Sequence, residues 1–326
     1  MRKNTFAFFR ARRYVYFFSA GAARRNFRKA IFVHLHLHIS QAWFYVRYFL
    51  YIFADMKINF VKYEGAGNDF VIVDNRTLNF NPDPDVVARL CDRRFGIGAD
   101  GLMLLENNDT ADFTMRYFNS DGPEATMCGN GGRCISLFAF HLGLGHDNKL
   151  DFMASDGPHK AALIGSDGPD RGRIALGMKN CSEPQPFGSR YFVDTGSPHC
   201  IEFVEDVDAV DVFNEGRRIR YMSDFEPFGG VNVDFVQITG DGAIRIRTYE
   251  RGVENETLAC GTGAVASAIV AAAVRQPLVR RFDVKTLGGL LRVDFSHDCN
   301  TYSDVVLSGP ARRVFSGTFD FENFIS

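Results

Sequence analysis

The turn Cys-Gly-x-Gly occurs twice in this chain, as Cys128-Gly129-Asn130-Gly131 and as Cys260-Gly261-Thr262-Gly263, and this repetition limits the fold more than any other feature. A glutamate stands four residues before each cysteine, Glu124 in one copy and Glu256 in the other. An apolar, uncharged stretch of helical pattern follows each turn, Ile135 to Leu142 and Ala264 to Val274, so each cysteine opens a helix. Upstream, strand-like alternation runs through Phe113 to Asn119 and through Ile244 to Arg251, with nine residues from Asn119 to Cys128 and ten from Glu250 to Cys260. A weaker echo links Asn68-Asp69-Phe70-Val71-Ile72 with Asn232 to Ile238. The matches keep one order, which predicts a duplication: two related halves, each presenting one thiol.

A cysteine at a helix start faces unpaired backbone N–H groups and the positive end of the helix dipole, so its pKa is expected below the free value of about 8.5. The glycines after it let a substrate approach the backbone, and exposed N–H groups there bind an anion such as a carboxylate. Two such helices facing one cleft would supply two thiols and a shared anion site. One sulfur would take a proton from a carbon beside the carboxylate, and the other would return one from the opposite face, inverting that carbon. A single cysteine in this position is commonly a small apolar filler; it is the duplicated context that favours chemistry. Cys134 lies six positions after Cys128, about 240° around the helix, and cannot share its site. Cys134, Cys91, Cys181, Cys200 and Cys299 are read as structural.

A chain of 326 residues with 46% hydrophobic and 23% charged residues has the balance of an ordinary globular protein, and its length suggests two domains. Residues 1–55 carry ten Lys and Arg against one acid, a charge of +9, so the remainder carries −11 of the net −2. An acidic body argues against nucleic acid as a partner. Seven cysteines without a C-x-x-C pair suggest neither a disulfide framework nor a zinc site, and reduced cytoplasmic thiols are the simpler reading.

Residues 1–55 are crowded with arginine and aromatic residues. A secretory signal lacks its clean apolar core, and a spanning helix is interrupted by His34, His36, His38, Gln41 and Arg47. A transit peptide fits the composition but not the aromatic load. The expectation adopted is that translation starts at Met56 and that 1–55 are an artefactual or disordered extension.

From Met56 the chain reads as a strand (Lys57 to Tyr63), a loop (Glu64 to Asn68), a buried strand (Phe70 to Val73) and a short helix (Asp85 to Arg93) stopped by Gly96 and Gly98. Strands are expected at Leu102 to Leu105 and Phe113 to Phe118, then at Leu150 to Ala154, Lys160 to Ile164 and Arg173 to Met178 in an antiparallel style. Pro184-Gln185-Pro186 and Gly188-Ser189 suggest a crossing between halves. Strands follow at Arg190 to Val193 and His199 to Phe203, a helical or loop stretch at Asp206 to Asn214, and strands at Val231 to Ile238 and Ala243 to Tyr249. Arg281 to Thr286, Leu290 to Phe295, Tyr302 to Leu307 and Ala311 to Thr318 close the chain. Leu258 to Val274, uncharged but short and rich in Ala and Gly, suits a helix sheathed by protein rather than a membrane span. The class is α/β (α+β).

Taken together, Gly65-Ala-Gly-Asn68-Asp69-Phe70, Phe118-Asn119-Ser-Asp-Gly122, Cys128-Gly-Asn-Gly131, Pro198-His199, Tyr249-Glu250-Arg251-Gly252 and Ala259-Cys260-Gly-Thr-Gly263 closely resemble the diaminopimelate epimerases, from Met56 to the C-terminus. The resemblance implies a cofactor-independent (PLP-independent), metal-free isomerase of the cytoplasm. It would interconvert LL- and meso-diaminopimelate in lysine and peptidoglycan precursor biosynthesis. It further implies that Cys128 is proton donor and Cys260 proton acceptor. Gly129, Asn130, Gly261 and Thr262 would hold the reacting carboxylate, and Asn68, Asn119, Asn232, Glu250 and Arg251 would fix the substrate. His199 and Glu250 would tune the thiols. Arg251 can grip a carboxylate with two parallel hydrogen bonds, Glu250 can pair an ammonium, and asparagines suit a zwitterion.

Two positions depart from the family pattern: Ser197 stands where many relatives have a substrate-binding asparagine, and Gly101 where some have a glutamine. The implied fold has two pseudo-symmetric domains, 56–177 with 310–326 and 178–309, each a curved, mainly antiparallel sheet around a central helix. The site would lie between them, the last strand would return to the first domain, and the assembly would be a homodimer with no nucleic-acid or membrane partner. The nearest rival is an enzyme of this architecture acting on proline or hydroxyproline, whose members usually carry histidine at the place of Asn130. A rival of another class is a metal-binding or redox thiol module.

Overall fold

A computed structural model describes residues 57–78 and 80–324, together with two short strands, Arg10–Ala11 and Tyr14–Val15, that pair antiparallel with each other. The rest of the reading of 1–55 lies outside the described residues. Residues 58–319 form one compact unit, and the site lies within it.

The seven strands Lys57–Gly65, Asn68–Asp74, Gly101–Glu106, Phe113–Asn119, Lys149–Ala154, Gly157–Ser166 and Arg171–Gly177 lie side by side in that order. Arg190–Asp194, Pro198–Phe203, Asn232–Gly240, Ala243–Glu250, Arg281–Thr286, Gly289–Asp298 and Thr301–Asp320 repeat the arrangement. Pairing is antiparallel except at the second and fourth joins of each series, which are parallel. A parallel join needs a crossover, and a helix supplies each one. These are α1 (Pro84–Cys91) and α2 (Gly129–His141) in the first series, α3 (Val212–Arg220) and α4 (Gly261–Val274) in the second. The antiparallel expectation therefore holds for most joins but not for these four.

The registers define the duplication residue by residue. Phe70 pairs with Gly101 and Leu102 with Phe118 in the first half; His199 pairs with Asn232 and Val233 with Tyr249 in the second. Phe70 thus corresponds to His199, Gly101 to Asn232, Met103 to Asp234 and Asn119 to Glu250. The echo between Asn68 and Asn232 is corrected: the strand of Asn68 corresponds to that of Pro198, and similarity of short apolar strands misled the alignment. The repeated glutamates are explained. Glu124 is bridged by Arg116 at 2.9 Å and Glu256 by Arg247 at 2.6 Å, equivalent pairs that tie each pre-cysteine segment to the preceding strand.

Each half wraps a core around its thiol helix. Cys134, Ile135, Leu137 and Phe138 of α2 pack with Phe70, Met103, Phe113 and Phe152, while Val265, Ala268, Ile269 and Ala272 of α4 pack with Val236, Ile246, Phe282 and Val293. The small side chains of α4 let strands close around it on every side, which is why it needs no polar face.

Three boundaries differ from expectation. Tyr302 to Leu307 and Ala311 to Thr318 are one strand, Thr301–Asp320, whose Val306, Leu307 and Ser308 pair with Gly289–Asp298 on one side and Arg171–Gly177 on the other. Pro310 lies within it opposite Arg173, two residues past Ser308, where the pairing with Gly289–Asp298 ends. Helix α1 ends at Cys91, before Gly96, since the Asp92 carboxylate accepts the N–H groups of Arg94 and Phe95 and turns the chain. The helical or loop stretch expected at Asp206 to Asn214 holds a helical turn, Val207–Ala209, and the start of α3, which continues to Arg220, is capped by Asp211 and buries Val212, Gly216 and Ile219.

Candidate active site

Cys128 and Cys260 are the N-caps of α2 and α4. The two helix starts abut: a Cβ on Gly261 would lie 3.2 Å from the Gly129 Cα, and Leu307 of the shared strand packs beneath both glycines. Glycine at both positions permits this approach. Asn130 links the halves, its amide donating to the Ala259 carbonyl at 2.8 Å and to Asn68 Oδ1 at 2.5 Å. Arg133, fully buried, donates to Asn130 Oδ1 at 2.8 Å and to the Gly129 carbonyl at 3.1 Å, placing a cation under the first helix start. Asn68 is held from its other side by Asp100, its Nδ2 donating to Oδ2 at 3.0 Å.

A second cluster surrounds Cys260. Its Sγ lies 3.5 Å from Thr262 Oγ1, which lies 2.9 Å from His199 Nε2 and 3.0 Å from Ser197 Oγ. His199 Nδ1 is 2.6 Å from Asp234 Oδ2, and both residues are fully buried. Asn232 donates to the Pro198 carbonyl at 3.1 Å and to Ser197 Oγ at 3.2 Å, and accepts the Arg251 N–H at 2.9 Å. Arg251 reaches the Phe228 carbonyl at 2.8 Å. Glu250, half-buried, accepts from the Thr257 hydroxyl at 2.7 Å. Asn119 ends its strand with an exposed side chain.

The expectation of low thiol pKa values is overturned. Burial pushes Cys128 up, and the Glu250 charge adds to this, against N–H bonds from Gly131 and Asn130 and the nearby Arg133. Cys260 is pushed well up by burial, then by Glu250 and Asp234, against the Thr262 hydroxyl and the Gly263 N–H. Desolvation outweighs the helix start. Glu250 acts on both thiols, so the two sulfurs share one carboxylate neighbour; burial raises Glu250 itself. Two thiols stored as S–H need proton acceptors at hand.

Both departures now have a physical setting. Ser197 stands among Thr262, His199 and Asn232, where its hydroxyl joins the cluster. At Gly101, an added Cβ would come within 2.6 Å of the Tyr117 ring, so that ring fills the space a larger residue would need. Asp234 and Arg133 escaped the sequence reading. The signal for Asp234 was its period-two spacing from Asn232 on one strand face; Arg133 was passed over because the apolar pattern counted for helix α2 begins only after it.

Among the described residues no group of three or more His, Cys, Asp or Glu side chains is arranged to hold a metal, and no helix is long and apolar enough to cross a membrane. A sequence profile described as diaminopimelate epimerase matches residues 60–176 and 191–314. A diaminopimelate epimerase of Flavobacterium psychrophilum is 46% identical, the match covering 79% of this chain and 98% of that protein. One from Chlorobaculum tepidum is 44% identical, covering 78% and 98%. Among solved structures, a PhzF-family phenazine biosynthesis protein of Bacillus anthracis matches with TM-score 0.64 at 15% identity, over 81% of this chain and 99% of that one. A hydroxyproline epimerase of Agrobacterium vitis matches with TM-score 0.57 at 12% identity, over 81% and 91%. These two share the fold.

Proposed function

Because the chain belongs to the diaminopimelate epimerase family, we propose that it interconverts LL- and meso-2,6-diaminopimelate by proton transfer between two cysteines at one α-carbon. The observation that carries this reading is the abutment of two cysteine-capped helix starts at Gly129 and Gly261, with Glu250 acting on both sulfurs. The substrate carboxylate would sit on the N–H groups of Gly129, Asn130, Gly261 and Thr262, where helix dipoles and N–H donors disperse the charge that develops as the α-proton leaves. Cys260 accepts that proton and Cys128 donates the replacement from the other face. Asn68, Asn119, Asn232 and Arg251 would fix the distal ammonium and carboxylate, and His199 with Glu250 would set the protonation of the thiols.

In this reading residues 56–177 with 310–326 form one functional half and 178–309 the other. The enzyme works without a cofactor, as a cytoplasmic homodimer. Asn130 supports a diaminopimelate substrate over proline, since its amide is engaged with Asn68 and Ala259 rather than free for a ring substrate. The test is chiral chromatography of LL-diaminopimelate, L-proline and trans-4-hydroxy-L-proline incubated with the enzyme. Formation of meso-diaminopimelate alone is expected; racemised proline with unchanged diaminopimelate would overturn the assignment.

A further inference from the structure

Hydrogen positions around His199 follow from its neighbours. The Asn232 amide donates to the Pro198 carbonyl and accepts from Arg251 N–H, which fixes its nitrogen on the side of His199 Nε2, 3.4 Å away. The amide nitrogen offers Nε2 no acceptor, whereas the Asp234 carboxylate accepts from Nδ1–H at 2.6 Å, and in this tautomer Nε2 is the ring's acceptor. Asp234 is fixed in turn by the Thr248 hydroxyl, which donates to Oδ1 at 2.6 Å. With Nε2 as acceptor, two chains of hydrogens are consistent, and in both the Cys260 S–H donates to Thr262 Oγ1. In the direct one Thr262 donates to His199 and Ser197 to Thr262; in the other Thr262 donates to Ser197, 3.0 Å away, and Ser197 to His199 at 3.0 Å.

The Cys128 side has nothing comparable. By register, the positions of His199 and Asp234 are taken there by Phe70 and Met103. The helix glycines report the same exchange: a Cβ on Gly263 would meet Asp234 Oδ1 at 2.4 Å, while one on Gly131 would meet Met103 Sδ at 3.4 Å. The duplication has kept the two thiols and lost the symmetry of what stands behind them.

Resting on the epimerase reading, we propose that Asp234 and the Thr262 hydroxyl complete a proton relay serving Cys260 alone, with Asp234 as the positioning residue that fixes the His199 tautomer. In the step, the Cys260 proton passes to Thr262 Oγ1 as the Thr262 hydroxyl proton passes to His199 Nε2. The products are a thiolate and an imidazolium, and the Asp234 carboxylate keeps its bond to Nδ1–H. The charged groups facing the relay are Asp234 on the strand behind it and Glu250 on the next strand. The relay supplies the acceptor that a buried Cys260 thiol needs, and its absence on the other side leaves Cys128 as the sulfur that starts protonated.

The test compares wild type, Asp234→Asn, Thr262→Val and Thr262→Ser by turnover of LL-diaminopimelate. It also compares the iodoacetamide alkylation rates of Cys260 and Cys128, read by peptide mass spectrometry across about pH 6 to 9. Absence of turnover in wild type would defeat the epimerase reading and leave the alkylation rates to judge the relay. With turnover established, Thr262→Val and Asp234→Asn are expected to lose about 10²–10⁴-fold in kcat, and Thr262→Ser to stay within about tenfold. Cys260 alkylation should slow in the first two variants and recover in Thr262→Ser, with Cys128 unchanged. Wild-type turnover in Thr262→Val, or equal slowing of both cysteines, would overturn the relay. Should Asp234→Asn fail to fold, the Val and Ser pair at Thr262 decides alone.

Discussion

Asn130 shows how one amide can hold two halves of a site in register. Its Nδ2 faces two acceptors, Asn68 Oδ1 and the Ala259 carbonyl, and its Oδ1 faces the Arg133 guanidinium. Asn130→Asp keeps the shape and reverses the first contact, turning a carboxylate oxygen toward two acceptors. Urea unfolding should show a loss of about 1–3 kcal/mol, the cost of leaving a buried polar group unpaired; unchanged stability would show that Arg133 compensates in full. At this scale the sequence was most legible where a residue type repeats. The two helix-start cysteines and their glycines were legible in this way, whereas Asn232, Glu250 and Arg251, which do not repeat, rested on the family resemblance. It was least legible where partners come from distant segments, as with Asp100, whose contact with Asn68 no local pattern encodes.

The thiol helices differ in what lies behind their glycines. A glycine inside a helix usually costs roughly 0.5–1 kcal/mol relative to alanine, so replacing it should stabilise when there is room. Gly131→Ala would place its methyl in ordinary contact with Met103 and Phe70, whereas Gly263→Ala would drive into Asp234. Thermal unfolding should therefore rise or stay level for Gly131→Ala and fall for Gly263→Ala, and the reverse order would contradict the structure. Apolar periodicity and turn residues made both helices and nearly every strand readable. They could not show that Thr301–Asp320 runs unbroken through Pro310, because its two-sided pairing with Gly289–Asp298 and Arg171–Gly177 comes from the assembly of both sheets.

Across the whole molecule, burial of weak acids sets the alkaline limit of stability. It pushes Cys91 and Cys200 up to about 12 and Cys181 up to about 11. In the unfolded chain these thiols ionise near about 8.5, so above that pH the unfolded state binds fewer protons than the folded state and stability falls. The free energy of unfolding should stay level from about pH 6 to 8 and decline above, by up to about 1.4 kcal/mol per pH unit for each such thiol. A level profile to about pH 11 would contradict the burial of these groups. At this scale the shared strand joins the halves, and its Leu307 lies under both helix starts. The most direct measurement is the early reaction of LL-diaminopimelate in heavy water, with deuterium located by NMR in product and recovered substrate. Two sulfurs on opposite faces predict meso product deuterated at the inverted carbon while recovered LL substrate stays protiated; a protiated product, or deuterium entering the substrate as fast as the product, would contradict the account.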